Sequence, residues 1–246
     1  MAELIRDGVE AFARGLIDYH NTGEETLLTI FRVDDGNIEE MPASPYFDKF
    51  GEWPTVDRAL THWIEGRTLD IGLAAGRLCL YLQDRGQDVV GIDLEPAMVQ
   101  LAQDRGVKDA RVHDILAGPV EGEKFDSICL FGHNLGIAGK HDNVKPFIEM
   151  LTGMLEPGGR IIGTQVNWAM TTKKEHLDFQ QSNRDAGRHP VEMTLKIEYD
   201  GMEESFSWCL TDQDEIREIA DEIGMQVEAI IDCGGVYGYV LKMPGE

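Results

Sequence analysis

The sequence predicts an α/β fold: a mostly parallel sheet of seven strands with helices on both faces, plus two β-hairpins added as a cover. Three observations predict it. Thr68–Glu95, TLDIGLAAGRLCLYLQDRGQDVVGIDLE, reads as strand, tight turn, helix, strand and acid, which is one βαβ unit. Apolar runs and helical segments then keep alternating as far as Val166, as parallel strands joined by crossover helices require. Met225–Ile231 and Val236–Met243 are joined only by a short link at Cys233-Gly234-Gly235, too short for a parallel crossover, so the last strand is antiparallel.

Taken in order, Ala2 to about His20 repeats apolar residues at helical spacing, at Ile5, Val9, Phe12, Leu16 and Tyr19. Thr26–Val33 and Ile38–Met41 flank the turn signal Asp34-Asp35-Gly36-Asn37 and form the first hairpin. Pro42 to Pro45 breaks regularity, the aromatics Tyr46, Phe47, Phe50 and Trp53 follow, and Pro54 opens a helix that Gly66 ends. Those aromatics either pack the N-terminal segment onto the core or shape a ligand site.

In the core, Thr68–Ile71 and Val89–Ile92 are the first two strands, with Gly86 stopping the helix between them. Glu95 to about Arg105 is a helix, Ala110–Asp114 a third strand, and Phe125–Phe131 a fourth, almost wholly apolar as a strand buried on both faces should be. Asp142 is expected to cap a helix to about Leu155, and Pro157-Gly158-Gly159 to turn into a fifth strand at Arg160–Val166. Thr172 to about Ala186 is a polar helix. Val191–Tyr199 and Met202–Leu210 alternate around Asp200-Gly201, the strongest hairpin signal in the chain. Thr211 is expected to cap a helix ending at Gly224, before the last two strands.

The glycine turn carries the chemistry. Gly72 and Gly76 permit a tight turn, so the helix N-terminus at Arg77 faces the crevice with free N–H groups and partial positive charge. Asp93, at the tip of the next strand, can accept two hydrogen bonds from a ribose diol, so a nucleoside-containing cofactor is expected at the carboxyl ends of these strands. A dinucleotide fingerprint would need glycines where Ala74 and Arg77 stand, which argues against a nicotinamide oxidoreductase.

With Asp70, Gly72 and Gly76 in place, the turn resembles the first motif of class I S-adenosylmethionine-dependent methyltransferases, acid-x-Gly-x-Gly-x-Gly; Ala74 replaces the middle glycine, with its methyl near the methionine part of the cofactor. The likeness continues at Asp93–Met98, Val112–Ile115, Phe125–Ile128 and Leu155–Gly159, covering roughly positions 67–166. It implies the strand order 3-2-1-4-5-7-6 and S-adenosyl-L-methionine as cofactor. It places Asp70, Gly72, Ala74, Gly76, Asp93, Leu94, Met98, His113, Asp114, Ile115, Phe131 and Gly132 around that cofactor, although strand alternation turns His113 to the opposite side. Asp114 would accept from the adenine amino group and the Ile115 N–H would face the ring; Asp114 capping the next turn is the plainer alternative. His133 and Asn134 follow the fourth strand and are the catalytic candidates, with His133 as base or orienting donor, or simply a loop histidine bonded to backbone. Tyr46, Phe47, Trp53, Asn167 and Trp168 are candidates for the substrate side. The implied organisation is an N-terminal cover over 1–66, a cofactor core over 67–166, an inserted cover over 167–210 and the rest of the core over 211–246. The Asn/Asp-Pro-Pro-aromatic segment of the branch that methylates DNA bases or protein glutamine is absent after the fourth strand.

Composition narrows the partners. A net charge of −23 disfavours a nucleic-acid substrate or anionic lipid, and fits either plain solubility or a high-salt habitat. No run of apolar residues is long enough to cross a membrane, and the first twenty residues lack a basic start and a continuous apolar stretch. The four cysteines are scattered through apolar runs and read as buried thiols of a cytoplasmic protein. His133 and His141 lack partners in sequence, so no metal site is expected, and Gly-x-Ser-x-Gly is absent. The expected activity is methyl transfer to a small molecule; the alternative is a non-catalytic cofactor-binding or interaction protein of the same fold.

Overall fold

The computed structural model describes residues 2–245, with side chains from residue 10 onward except Glu204. Helix α1 spans Ala2–Thr22; of its expected apolar stripe, the side chains of Ile5 and Val9 lie outside the described residues. Strands β1 (Leu27–Arg32) and β2 (Asn37–Pro42) form the first hairpin, and α2 (Thr55–Leu60) follows the aromatic segment. The core then runs β3 (Thr68–Ile71), α3 (Arg77–Asp84), β4 (Val89–Asp93), α4 (Pro96–Asp104), β5 (Ala110–Val112), β6 (Phe125–Leu130), α5 (His141–Thr152) and β7 (Leu155–Val166). Helix α6 (Lys174–Asp185) and the hairpin β8 (Glu192–Tyr199) and β9 (Met202–Cys209) are inserted before α7 (Gln213–Glu222), β10 (Gln226–Asp232) and β11 (Val236–Lys242).

Seven strands make one sheet in the order β5-β4-β3-β6-β7-β11-β10, with β11 antiparallel to both of its neighbours and the other pairings parallel. In core numbering this is 3-2-1-4-5-7-6. Helices α5 and α7 pack Phe147, Leu151, Ile216 and Ala220 on one face, while α2, α3 and α4 pack Leu60, Leu82 and Val99 on the other. β3 is buried at all four residues, Asp70 included, as a central parallel strand covered on both faces must be.

The two hairpins, over 26–41 and 191–210, are expected to form one antiparallel cover over the carboxyl edge of the sheet, and they do. Thr29–Arg32 of β1 pairs antiparallel with Leu195–Glu198 of β8, giving a second, four-stranded sheet in the order β2-β1-β8-β9. Helix α1 packs its Ala13 and Leu16 against this sheet and against Met98 and Leu101 of α4. Arg32 stacks over Phe179 of α6 at 4.1 Å and bonds Asp35 at 2.6 and 2.8 Å, fastening the sheet to the inserted helix. The β8–β9 turn has φ of +49° at Asp200 and +76° at Gly201, the mirror-image turn that matches strand twist.

Several local expectations are corrected. β7 begins at Leu155, and Pro157-Gly158-Gly159 lies inside it as an irregularity: the register against β6 steps from Phe125↔Leu155 to Ser127↔Arg160. Asp142 is in the first turn of α5, whose flanking residue is Lys140. Thr211 does not cap α7. It is fully buried against the Tyr237 hydroxyl, and Asp212 caps, its carboxylate accepting from Asp214 N and Glu215 N at 2.9 Å. Cys79, Cys129 and Cys209 are buried thiols, but Cys233 is exposed because it lies in the link after β10.

The cover rests on the core at Gly136, where a Cβ would meet Trp208 of β9 at 2.2 Å. Gly136→Ala should therefore lift the tryptophan and lower stability by roughly 1–3 kcal/mol. Urea denaturation followed by tryptophan fluorescence checks this, and an unchanged midpoint would show that the contact does not seat the cover.

Candidate functional site

The turn after β3 is held from four sides. Gly72 N and Leu73 N donate to Ile92 O of β4 at 2.9 and 3.0 Å. Asn134 Nδ2 donates to Ile71 O at 2.7 Å and to Gly72 O at 3.2 Å. Ala74 N donates to Asp93 Oδ2 at 3.1 Å, and the Arg105 guanidinium bonds Ala75 O while stacking on Phe47. Gly76 closes the turn at φ +76°, with Val107 only 2.6 Å and Ala102 of α4 3.2 Å from where a Cβ would be, so the turn lies tight against α4 and the residues after it.

Above this turn is a cavity of about 400 Å³. Its floor is the carboxyl edge of the sheet: Asp70, Gly72, Ala74, Asp93, Leu94, His113, Asp114, Ile115, Phe131, Gly132, His133 and Asn134 all line it. Its ceiling is the second sheet with α1 and the aromatic segment, chiefly Phe12, Met41, Tyr46, Leu195, Phe206 and Trp208. The β8–β9 hairpin was expected to cover this edge, but its individual ceiling residues were not named, because alternation marks a half-buried strand without saying which side chains reach the cavity.

The polar groups of the floor have defined partners. Asp93 Oδ1 also accepts from Glu95 N at 3.1 Å, and a carboxylate with two such bonds keeps lone pairs for a ligand. Burial pushes the Asp93 carboxyl up to about 6, against the lowering effect of these N–H donors. Burial likewise raises Asp70 to about 6; Cys79 Sγ donates to it at 3.3 Å. Asp114 Oδ1 accepts from Leu116 N at 3.0 Å, capping its own turn, and the side chain still borders the cavity. His113 uses Nε2 on Gly118 O at 2.9 Å.

His133 has left-handed backbone, φ +69°, directly after Gly132, whose N–H donates to Thr164 Oγ1 at 3.1 Å. Its Nδ1 is buried without a hydrogen-bond partner, and burial lowers the imidazole to about 4, so the ring is neutral at pH 7. Asn134 differs from expectation: its amide is spent on the glycine turn.

Other candidates also lie elsewhere. Met98 is buried under α1, and Gly76 packs on α4, both off the cavity wall. Phe47 stacks with Tyr19 and under Arg105. Trp53 lies beneath Arg77 at 4.9 Å, and Arg77 pairs with Asp57 at 2.5 Å. Of the N-terminal aromatics put forward, Tyr46 lines the cavity while Phe47 and Trp53 support it. Asn167 and Trp168 border a second groove beside α6. The structure also joins residues that spacing kept apart: His141, His189 and Glu215 meet, although no metal set was expected.

Comparison with known proteins agrees with this geometry. Residues 69–163 match the sequence model of a family described as "Methyltransferase domain". A ubiquinone biosynthesis O-methyltransferase from Chelativorans sp. (strain BNC1) is 33% identical over 106 residues, 41% of this chain and 40% of that protein. One from Brucella ovis is 29% identical over 125 residues, 48% of this chain and 47% of that protein, so the chain spans less than half the length of these curated relatives. Among solved structures, a SAM-dependent methyltransferase from Bacteroides fragilis in complex with S-adenosyl-L-homocysteine superposes with a TM-score of 0.81 at 23% identity, over 96% of this chain and 95% of that one. The DhpI-SAM-HEP complex superposes with a TM-score of 0.65 at 18% identity, over 98% of both chains.

Ala74 holds φ +48° without being glycine. Left-handed backbone costs an L-residue roughly 1–2 kcal/mol, partly offset by the entropy that glycine loses on folding. Ala74→Gly should raise stability by roughly 0.5–1 kcal/mol. Thermal unfolding checks it, and a lower midpoint would mean that the methyl packs favourably enough to outweigh the strain.

Proposed function

We propose that this chain, whose residues 69–163 match the model of a methyltransferase domain, transfers the methyl group of S-adenosyl-L-methionine to a hydroxyl of a small, largely apolar molecule. One observation carries the reading: a single cavity joins an acid-tipped glycine turn on its floor to an aromatic and aliphatic ceiling, and it is lined by a neutral imidazole, that of His133, whose Nδ1 has no hydrogen-bond partner.

The floor suits the cofactor. Asp93 keeps acceptor capacity for a ribose diol, and Leu94, Ile115 and Phe131 offer apolar surface for an adenine ring. The first N–H groups of α3 face the corner that a methionine carboxylate needs, beside Arg77, whose guanidinium is paired with Asp57. The cofactor, when bound, supplies an already activated methyl group.

The chain's own part is placement. Phe12, Met41, Phe206 and Trp208 hold an apolar acceptor and keep water out of the cavity. His133 Nδ1 accepts a hydrogen bond from the acceptor's hydroxyl, aligns its oxygen, and takes the proton as the new bond forms. Burial weakens this imidazole as a base and keeps it neutral across the physiological range. The O-methyltransferase names of the curated relatives agree with an oxygen acceptor.

A panel of hydroxylated aromatic and aliphatic compounds, assayed with methyl-labelled cofactor, tests the proposal. Cofactor binding without transfer to any of them would favour a non-catalytic binding protein. Asp93→Ala should weaken cofactor binding by roughly 1.5–3 kcal/mol in calorimetry, because a bound diol loses its charged acceptor. In the wild type, Asp93 takes up a proton as pH falls through about 6. Affinity should therefore be full at pH 7.5 and decline below about 6, and a flat profile to pH 5 would remove Asp93 from the ribose site. His133→Ala should lower turnover roughly 10²-fold with little change in cofactor affinity. At saturating cofactor the wild-type rate should fall only towards pH 4, where the imidazole charges; normal turnover in the variant would leave alignment by the ceiling as the whole of catalysis.

A further inference from the structure

We propose that His141, His189 and Glu215 form a binding site for one divalent transition-metal ion of the zinc type, which fastens the inserted cover to the core. Among the described residues, this is the group of three His, Cys, Asp or Glu side chains whose ligating atoms all lie within 4.8 Å of one another. The two imidazoles stack with centroids 3.9 Å apart and planes 6° from parallel, and both Nε2 atoms face the same carboxylate oxygen. Glu215 Oε1 is 2.5 Å from His189 Nε2 and 3.5 Å from His141 Nε2. His141 Nε2 is buried and makes no hydrogen bond, so a ligand is missing on that atom.

The donor set selects the ion. Two imidazole nitrogens and one carboxylate suit zinc or cobalt, whereas calcium and magnesium prefer oxygen alone. Ligands about 2.1 Å from a tetrahedral centre stand about 3.4 Å apart; His141 Nε2 already lies 3.5 Å from Glu215 Oε1, while the 2.5 Å contact of His189 must open and the two stacked rings must turn apart so that both Nε2 atoms converge on one ion. Outer contacts already fix the carboxylate: Glu215 Oε2 accepts from Asp212 N at 2.5 Å and from Trp168 Nε1 at 3.3 Å, leaving Oε1 for the ion. Binding moves the His189 ring proton from Nε2 to Nδ1 and gives up the long 3.5 Å contact from Val191 N.

The three ligands come from three parts of the chain. His141 opens α5, Glu215 lies in the first turn of α7, and His189 lies between α6 and β8. An ion here ties the root of the cover hairpin to two core helices, beside Trp168 at the head of the inserted segment. The site stands apart from the cavity proposed for methyl transfer, since none of its three ligands lines that cavity. Its failure would leave the proposed function untouched.

The test uses the full chain, tag-free and stripped with chelator, titrated separately with zinc and cobalt chloride. One ion per chain is expected, with the visible bands of tetrahedral cobalt and a raised thermal midpoint with zinc. Glu215→Gln and His141→Gln are near-isosteric and keep the capping and packing; each should weaken uptake at least tenfold. His176→Gln, at a histidine beside Glu39 in the second groove, should leave uptake unchanged. If the variants fold poorly, the cobalt spectrum of the wild type decides alone. No stoichiometric uptake, octahedral cobalt bands, or equal uptake by His141→Gln and Glu215→Gln would overturn the site.

Discussion

The structure depends on the left-handed backbone of the turn at 72–76, which no local preference would hold. Three of its positions, Gly72, Ala74 and Gly76, have positive φ, and beyond its own Gly76 N–Leu73 O bond it is restrained from four places: β4 through Ile92, the tip of β4 through Asp93, the β6 loop through Asn134, and the end of α4 through Arg105. Each restraint also places something. Asn134, drawn down onto Ile71 and Gly72, sets the loop that carries His133. Arg105, drawn onto Ala75, is sandwiched with Phe47 and so seats the N-terminal aromatic segment. The turn is thus the point where the sheet, the loop after β6 and the cover share contacts.

The cover solves a different problem. A sheet edge with an open crevice exposes any bound cofactor to water. Two hairpins far apart in sequence close it by pairing β1 with β8, so that neither hairpin has to be stable alone. The closure is seated by packing rather than charge. Trp208 lies flat on Gly136, and α1 wedges Leu16 between the cover and α4. Substitutions that enlarge Gly136 would therefore reshape the cavity without touching any residue on its floor.

Elements with a strong period were legible in the sequence. The βαβ unit, the alternation that follows, the Asp200-Gly201 hairpin and the antiparallel last strand all follow from local pattern, and the strand order followed from the family resemblance. That the hairpins over 26–41 and 191–210 form one antiparallel cover over the carboxyl edge was expected, because both fall outside the sheet order; the register that joins β1 to β8 spans more than 160 residues and has no local signal. Capping slipped by one residue at Thr211 because a buried bond to Tyr237 outcompeted the helix end. On the floor of the cavity, positions at strand ends were legible because strand ends are topologically fixed. Asn134, Phe47 and Trp53 were not, since their side chains turn to supporting contacts that only tertiary packing decides. The His141, His189 and Glu215 group has no spacing signature at all.

Acid burial shows what the site demands of the fold. Asp70 and Asp93 sit at the carboxyl ends of neighbouring parallel strands, and burial raises both to about 6. In the unfolded chain an aspartate titrates near 3.9. Between those values the folded protein holds more protons than the unfolded one, so the contribution of these acids to stability is full below about pH 4 and is lost as pH rises through about 6. At neutral pH both carboxylates therefore work against the fold. Asp70 has the Cys79 thiol, itself buried, as a close donor and the Arg77 charge nearby, yet burial still outweighs both. Asp93 is compensated better, by the N–H groups of Ala74 and Glu95, and it lines the cavity with acceptor capacity to spare. A ligand hydroxyl that donates to Asp93 supplies the solvation that burial removed. Binding at this strand tip thus recovers free energy that the apo fold had given up.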